Sequence, residues 1–189
     1  DARLMAEGAT LAETDGVMVT WHQATAESTG LDDASADVVT AGQCWHWFDR
    51  PAALAETRRL LTPGGRLAIV YLDWIPLPGN AVAATERLIE AHNPSWTMGG
   101  GHGMWPQWVP DVQASGFSQV ETFSFDLEIP YTPEGWRGRI RASAGITVLD
   151  DDARAAFDAE LAELLAQDFP GERLSLDHRV WAMVAAAPG

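Results

Sequence analysis

The chain contains no lysine, a single cysteine, and no uninterrupted apolar run near the ~20 residues a membrane helix requires. Each absence excludes something. All 12 basic residues are arginine, so Schiff-base chemistry, which needs a lysine amine, is ruled out. A lone Cys44 forms no internal disulfide and cannot supply a four-cysteine zinc site. That cysteine usage suits a reducing cytoplasm. The chain opens Asp1-Ala2-Arg3, without the basic and apolar regions of a signal peptide. Positive charge is scarce: 27 acidic residues against 12 basic ones give a formal net charge of -15. Such a field repels a phosphate backbone or an anionic membrane, so nucleic acid and lipid are excluded as expected partners.

What is present is enough for one domain. The 189 residues are 47% hydrophobic, sufficient for a sizeable core. Helical spacing over residues 2–14, with Asp1 as N-cap, gives a helix that Asp15-Gly16 stops. Residues 17–22 are β-branched and apolar and read as a strand. Residues 36–42 read as a second strand, apolar enough to be buried in a parallel sheet. Asp49-Arg50-Pro51 opens a helix running to about Leu61, and Thr62-Pro63-Gly64-Gly65 breaks it. Residues 66–72 form a third strand, and 80–92 a helix. A short helix over 105–115 and a strand over 117–129 come next. Helices over 133–145 and 151–169 follow, the second with a stripe of Phe157, Leu161, Leu164 and Leu165. Residues 173–186 are the last strand. Strands alternating with helices predict an α/β fold with a mostly parallel sheet, the last two strands pairing antiparallel at one edge. Residues 93–106, with five residues from Gly99 to Gly103 that include four glycines, follow a helix rather than a strand. They read as a lid, not a phosphate loop.

Two runs carry a resemblance: Gly42-Gln43-Cys44-Trp45-His46-Trp47-Phe48-Asp49, then Leu61-Thr62-Pro63-Gly64-Gly65-Arg66-Leu67-Ala68-Ile69-Val70. Preceded by Ala24-Thr25-Ala26-Glu27, and separated by one helix at the usual loop-and-helix spacing, they resemble the class I S-adenosylmethionine-dependent methyltransferases. The likeness is to the ubiquinone-biosynthesis-type and trans-aconitate-type branches and covers residues 1–130. It implies a Rossmann-like doubly wound sheet with a helical insertion before the last strand, as one domain over residues 1–189. It also implies a cytoplasmic enzyme that methylates a small molecule at O, N or C with S-adenosylmethionine; a homodimer stays open.

By that resemblance, Thr25, Ala26 and Glu27 lie beside the adenine, and Gly42, Gln43 and Cys44 face the methionine portion. Trp45, His46 and Trp47 sit where the sulfonium meets the acceptor, and aromatic faces suit a cation by ~0.5 to 2 kcal/mol each. His46 is the first choice of base. His102 and Tyr131 stand in reserve and, with Trp74, Trp105 and Arg139, line the acceptor pocket. Trp96, Trp108 and Trp136 lie in the same capping segments. Arg139, like Arg137 and Arg141 on its helix, is a candidate for an acceptor carboxylate. Trp21 and Trp181 read as core. A metal shared by His92 and His102 has no acidic partner fixed by spacing. No metal is assigned.

Two family features have no counterpart in these residues: the glycine-rich loop after the first strand and the carboxylate that grips the ribose. The resemblance therefore implies roughly 40 to 70 residues ahead of Asp1, about one βαβ unit, a point intact mass spectrometry of the native protein decides. Without that unit, residues 17–22 and 36–42 would each leave an unpaired edge. Two other readings stay open: a non-catalytic binding or partner subunit, and a cyclase on the same fold.

Overall fold

The computed structural model describes residues 2–188. In chain order the elements are α1 (Ala2–Thr14), β1 (Ala36–Gly42), α2 (Arg50–Leu60), β2 (Leu61–Trp74), α3 (Ala81–His92), α4 (Val109–Ala114), β3 (Ser118–Tyr131), α5 (Pro133–Arg141), α6 (Ala144–Thr147), α7 (Asp151–Asp168) and β4 (Leu174–Ala186). Single 3-10 turns cover Trp45–Trp47 and Pro106–Trp108. The four strands form one sheet in the order β1-β2-β4-β3.

Strand direction follows from register. The Ala187 N–H donates to the Gly65 carbonyl and the Ile75 N–H to the Asp177 carbonyl. Numbers rise along β2 as they fall along β4, so the two are antiparallel. Arg179 meets Asp126 and Ser175 meets Glu128, which sets edge strand β3 antiparallel to β4. Helix α2 crosses over between β1 and β2, the connection that joins parallel neighbours. Three strands thus share one direction, and α5 to α7 form the helical insertion before β4. This is a mostly parallel, Rossmann-like α/β sheet.

The chain divides into two compact units. Residues 1–69, 107–121 and 183–189 form the first, and residues 70–106 and 122–182 the second. In the first unit, Leu54, Leu60, Leu61, Leu67, Ile69, Val112 and Phe117 are buried. Gly64 takes φ +77, a left-handed conformation that favours glycine. Gly65 is glycine for a different reason: a Cβ there would lie 3.0 Å from the carbonyl oxygen of Asp37 on β1. Both glycines fall inside β2, which begins at Leu61 rather than after the Pro-Gly-Gly run. In the second unit, α3, α5, α6, α7 and β4 bury one cluster that includes Ile89, Trp136, Ile140, Phe157, Leu161 and Leu165.

Three expectations change. Residues 17–22 join no strand; Met18 is 99% exposed, and Trp21, expected in the core, is 42% exposed and lies against Gly8 of α1. Apolar, β-branched composition makes a strand only where a partner supplies hydrogen bonds, and no described strand stands beside this segment. Strand β1, expected to be buried, is an edge strand in which only Ala41 is buried. The helices expected over 105–115 and 133–145 are each shorter, the first preceded and the second followed by a separate turn. The expected Asp1 cap lies outside the described residues. Trp181 is buried as expected.

Candidate functional site

In the first unit, the segment after residue 22 folds into a tight turn. Thr25 and Ser28 pair as an isolated antiparallel bridge, with Ala26 and Glu27 at its tip. The Glu27 carboxylate then accepts from the backbone N–H of Asp49 at 3.0 Å. Asp49 in turn caps α2, its side chain accepting from the Ala52 N–H at 3.3 Å. The tip after residue 22 and the turn after β1 therefore lie side by side. Behind them Glu56 fixes the returning chain. It accepts from both the N–H and the hydroxyl of Thr29 and is forked by Arg59, which also reaches Asp33. The Arg59 guanidinium and the Thr29 donors hold the Glu56 carboxyl well below the usual range.

The turn after β1 carries the candidate methionine-facing residues. Gly42 has nothing within 4 Å of a would-be Cβ, so space is open above the strand's carboxyl end. Gln43 sits at φ +56, a left-handed conformation that non-glycine residues adopt at a cost and that clusters at functional sites. Cys44 is half-buried, and burial pushes its thiol pKa up, away from nucleophilic chemistry. Trp45 is 1% exposed and packs edge-on against Phe48. Its indole N–H has no hydrogen-bond partner among the described residues. His46 is half-buried with its ring 4.5 Å from that of Trp47, which is 63% exposed. Trp45 thus stands in the core of this turn, while His46 and Trp47 form its accessible face.

In the second unit the remaining candidates fall into two groups. Trp105 donates its indole N–H to Asp73 at 2.9 Å and lies 5.2 Å from the Tyr71 ring. His102 accepts the Met104 N–H on Nδ1, and its carbonyl accepts from Arg179. The other group gathers around Trp136: Trp74 and Tyr131 lie 5.5 and 5.3 Å from it, and Arg139 stands 5.2 Å over the Trp74 ring. Residues 93–106 are tied down by Asn93 to the Gly145 carbonyl and by the Gly100 N–H to Glu86. His92 faces Glu160 at 3.1 Å, and no cluster of metal-ligand type occurs among the described residues.

Sequence reasoning missed Glu86 and His178. Glu86, buried on α3, accepts from the Trp74 indole at 2.7 Å and from Gly100 at 2.8 Å. Burial pushes its pKa up despite those bonds. His178, fully buried in β4, holds the Leu176 carbonyl on Nδ1 at 2.9 Å, with Nε2 3.4 Å from the Tyr131 hydroxyl. Burial, and secondarily Arg139, push its pKa down, so it is neutral. Each is a polar residue on an apolar face, the one signal that was available.

In open α/β sheets ligands sit beyond the carboxyl ends of the strands, and the turn at Gly42 to Trp47, flanked by Glu27, occupies that position in the first unit. The fold is that of the class I methyltransferases. The chain is similar to that family: a methyltransferase-domain model matches residues 2–69. A methyltransferase-like protein of Schizosaccharomyces pombe is 40% identical over 140 residues, 71% of this chain and 50% of that protein. An uncharacterised methyltransferase of Mycobacterium tuberculosis is 33% identical over 110 residues, 48% of this chain and 44% of that protein. The chain thus spans about half the length of the curated relatives it matches. Among solved structures, a candidate Type II methyltransferase from Anaeromyxobacter dehalogenans is 25% identical, with a TM-score of 0.56 over 90% of this chain and 72% of that one. The cyclase SpnF shares the fold, at 18% identity and a TM-score of 0.52, over 97% of this chain and 62% of that one.

Proposed function

We propose that this protein transfers a methyl group from S-adenosylmethionine to O, N or C of a small-molecule acceptor, in the branch that resembles the ubiquinone-biosynthesis and trans-aconitate enzymes. The single observation that carries this reading is the bond from the Asp49 N–H to Glu27. It supports an adenosyl-binding wall built from two neighbouring tips, with open space over Gly42 beside it. Thr25, Ala26 and Glu27 would hold the adenine side, and Gly42, Gln43 and Cys44 the methionine side. When bound, S-adenosylmethionine supplies an electrophilic methyl on a sulfonium. The chain's residues supply position, the larger part of such catalysis. The Trp47 face, exposed at this turn, suits a cation. His46 takes the acceptor's proton where the nucleophile is weak.

A titration of S-adenosylhomocysteine into the protein by calorimetry tests the cofactor reading. Absence of binding favours a non-catalytic module. The likeness to SpnF favours a second enzymatic reading, a cyclase on the same fold; detection of S-adenosylhomocysteine as product separates the two. His46→Ala lowers turnover at least tenfold if the imidazole is the base, and an unchanged kcat removes it from that role.

A further inference from the structure

We infer that residues 97–102 are a pH-sensitive strap across α3, closed while the Glu86 carboxyl is protonated and released when it ionises. Strap and carboxyl both lie in the second unit, and the device works with or without methyl transfer.

The strap is pinned at both ends and held once between them. At its start, the Asn93 side chain donates to the Gly145 carbonyl at 2.9 Å and accepts from the Ser95 hydroxyl at 2.6 Å. At its end, the His102 carbonyl accepts from Arg179 at 2.9 Å, and the Trp105 indole N–H donates to Asp73 at 2.9 Å. Between those pins, the Gly100 N–H to Glu86 Oε2 at 2.8 Å is the one hydrogen bond to the rest of the unit among the described residues. Thr97, Met98, Gly100, Gly101 and His102 are exposed, so little packing holds the strap down.

Under Gly100 lies a buried carboxylate with no cation to neutralise it. Glu86 is 6% exposed. Its Oε1 accepts from the Trp74 indole N–H at 2.7 Å and its Oε2 from Gly100. Both donors are neutral, and an ionised carboxylate has about four acceptor sites to fill. The charged groups on the surrounding elements do not compensate. Glu90, one turn along α3, is a like charge that borders the strap: a Cβ on Gly99 would lie 3.0 Å from its Oε1. Arg139 of α5 stands over the Trp74 ring and forms no ion pair with Glu86. On β2, Asp73 is taken by Trp105, and on α7, Glu160 faces His92 at the end of α3. The strap's own His102 accepts the Met104 N–H on Nδ1. An ionised carboxylate in that setting costs more than two neutral donors return. Burial accordingly pushes the Glu86 pKa up, against both bonds. Lifting Gly100 lets water reach Oε2 and removes the cost. The closed state therefore has the higher pKa and holds the proton more tightly. Closure is fully favoured below the pKa of the lifted state and is lost as pH rises through that of the closed one.

The test follows amide hydrogen exchange by NMR on nitrogen-15-labelled protein from about pH 5 to about pH 8, each rate divided by the intrinsic rate at that pH. Protection of the Gly100 amide falls at least ~threefold over that range. The Asn93 amide, bonded to the Ile89 carbonyl at 2.7 Å beside the first pin, keeps its protection. Glu86→Gln is uncharged throughout and loses the dependence on pH at Gly100, whatever its absolute protection. Gly100 protection that stays flat in the unaltered protein overturns the inference, and that measurement needs no variant. An equal fall at Gly100 and Asn93 overturns it as well, because it reports opening of the whole unit. A folded Glu86→Gln that keeps the parent's fall also overturns it and transfers the effect to His102.

Discussion

Gln43 concentrates the residue-scale argument. Its φ of +56 at the carboxyl end of β1 is a conformation in which a Cβ is strained. Neighbouring Gly42 does not take up that strain, for it has no positive φ. Gln43→Val places a β-branched side chain in the left-handed region and lowers stability by about 1 to 2 kcal/mol. Gln43→Gly is near neutral, because relief of strain offsets the ~0.5 to 1 kcal/mol cost of glycine's greater freedom in the unfolded chain. Urea midpoints measured at constant slope check both; a Val variant as stable as the parent refutes the strain. Trp45 is the companion case. Its buried indole N–H lacks a partner, so Trp45→Phe removes an unsatisfied donor while leaving a small void. The two effects have opposite sign, and the net change is within about 1 kcal/mol rather than the ~3 to 5 that truncation to Ala costs. Neither feature was legible in the sequence. The resemblance fixed attention on residues 42–47, but backbone strain and a missing partner are three-dimensional facts that residue type does not encode.

At the scale of elements, what was legible followed from caps and periodicity. Asp49, read as opening its helix, places a side-chain oxygen on a helix N–H; Asn80, Thr132 and Asp150 do the same at helices whose starts were read without naming those caps. The stripe of Phe157, Leu161 and Leu165 on α7 faces the core as its spacing requires. These signals are local, so the sequence suffices to read them. Residues 17–22 and β1 show the limit. Their β-branched, apolar make-up is the same whether a neighbour pairs with them or not, and pairing is what decides strand and burial. The same distinction ranks two substitutions on α7. Asp150→Ala removes one cap, whose bond to Ala153 is 2.8 Å, and costs about 1 kcal/mol. Leu161→Ala opens a cavity in the cluster of the second unit and costs about 2 to 5 kcal/mol. Denaturant unfolding orders them; equal losses would mean that α7 frays as a whole or that its stripe is not the seam.

For the whole molecule, the dependence of stability on pH joins the buried polar groups to the overall charge. His178 is neutral in the fold because burial, helped by Arg139, lowers its pKa, while the bond to the Leu176 carbonyl and, behind it, Asp177 and Asp73 pull the other way. The unfolded chain takes up that proton near pH ~6.5, and the folded one does not. Between the two values the unfolded state binds more protons, so stability rises with pH. His178 therefore contributes fully above about pH 6.5, and that contribution is lost as the solution is acidified. A second loss follows below about pH 4, where Asp158 and Asp126, held down by their arginines, must be protonated. Glu86 runs opposite: burial raises its pKa, so it costs stability above that value and relaxes as pH falls. The net charge of -15 also favours mild acid, because self-repulsion weakens as carboxylates neutralise. A raw profile mixes these opposing slopes, and a comparison with His178→Asn separates them, since the background is common to both proteins. The difference in stability between parent and variant should shrink as pH falls from 8 to 5.5. A difference that stays constant over that interval means the imidazole is charged in the fold or titrates there as it does unfolded, and either result removes the neutral buried histidine from this account.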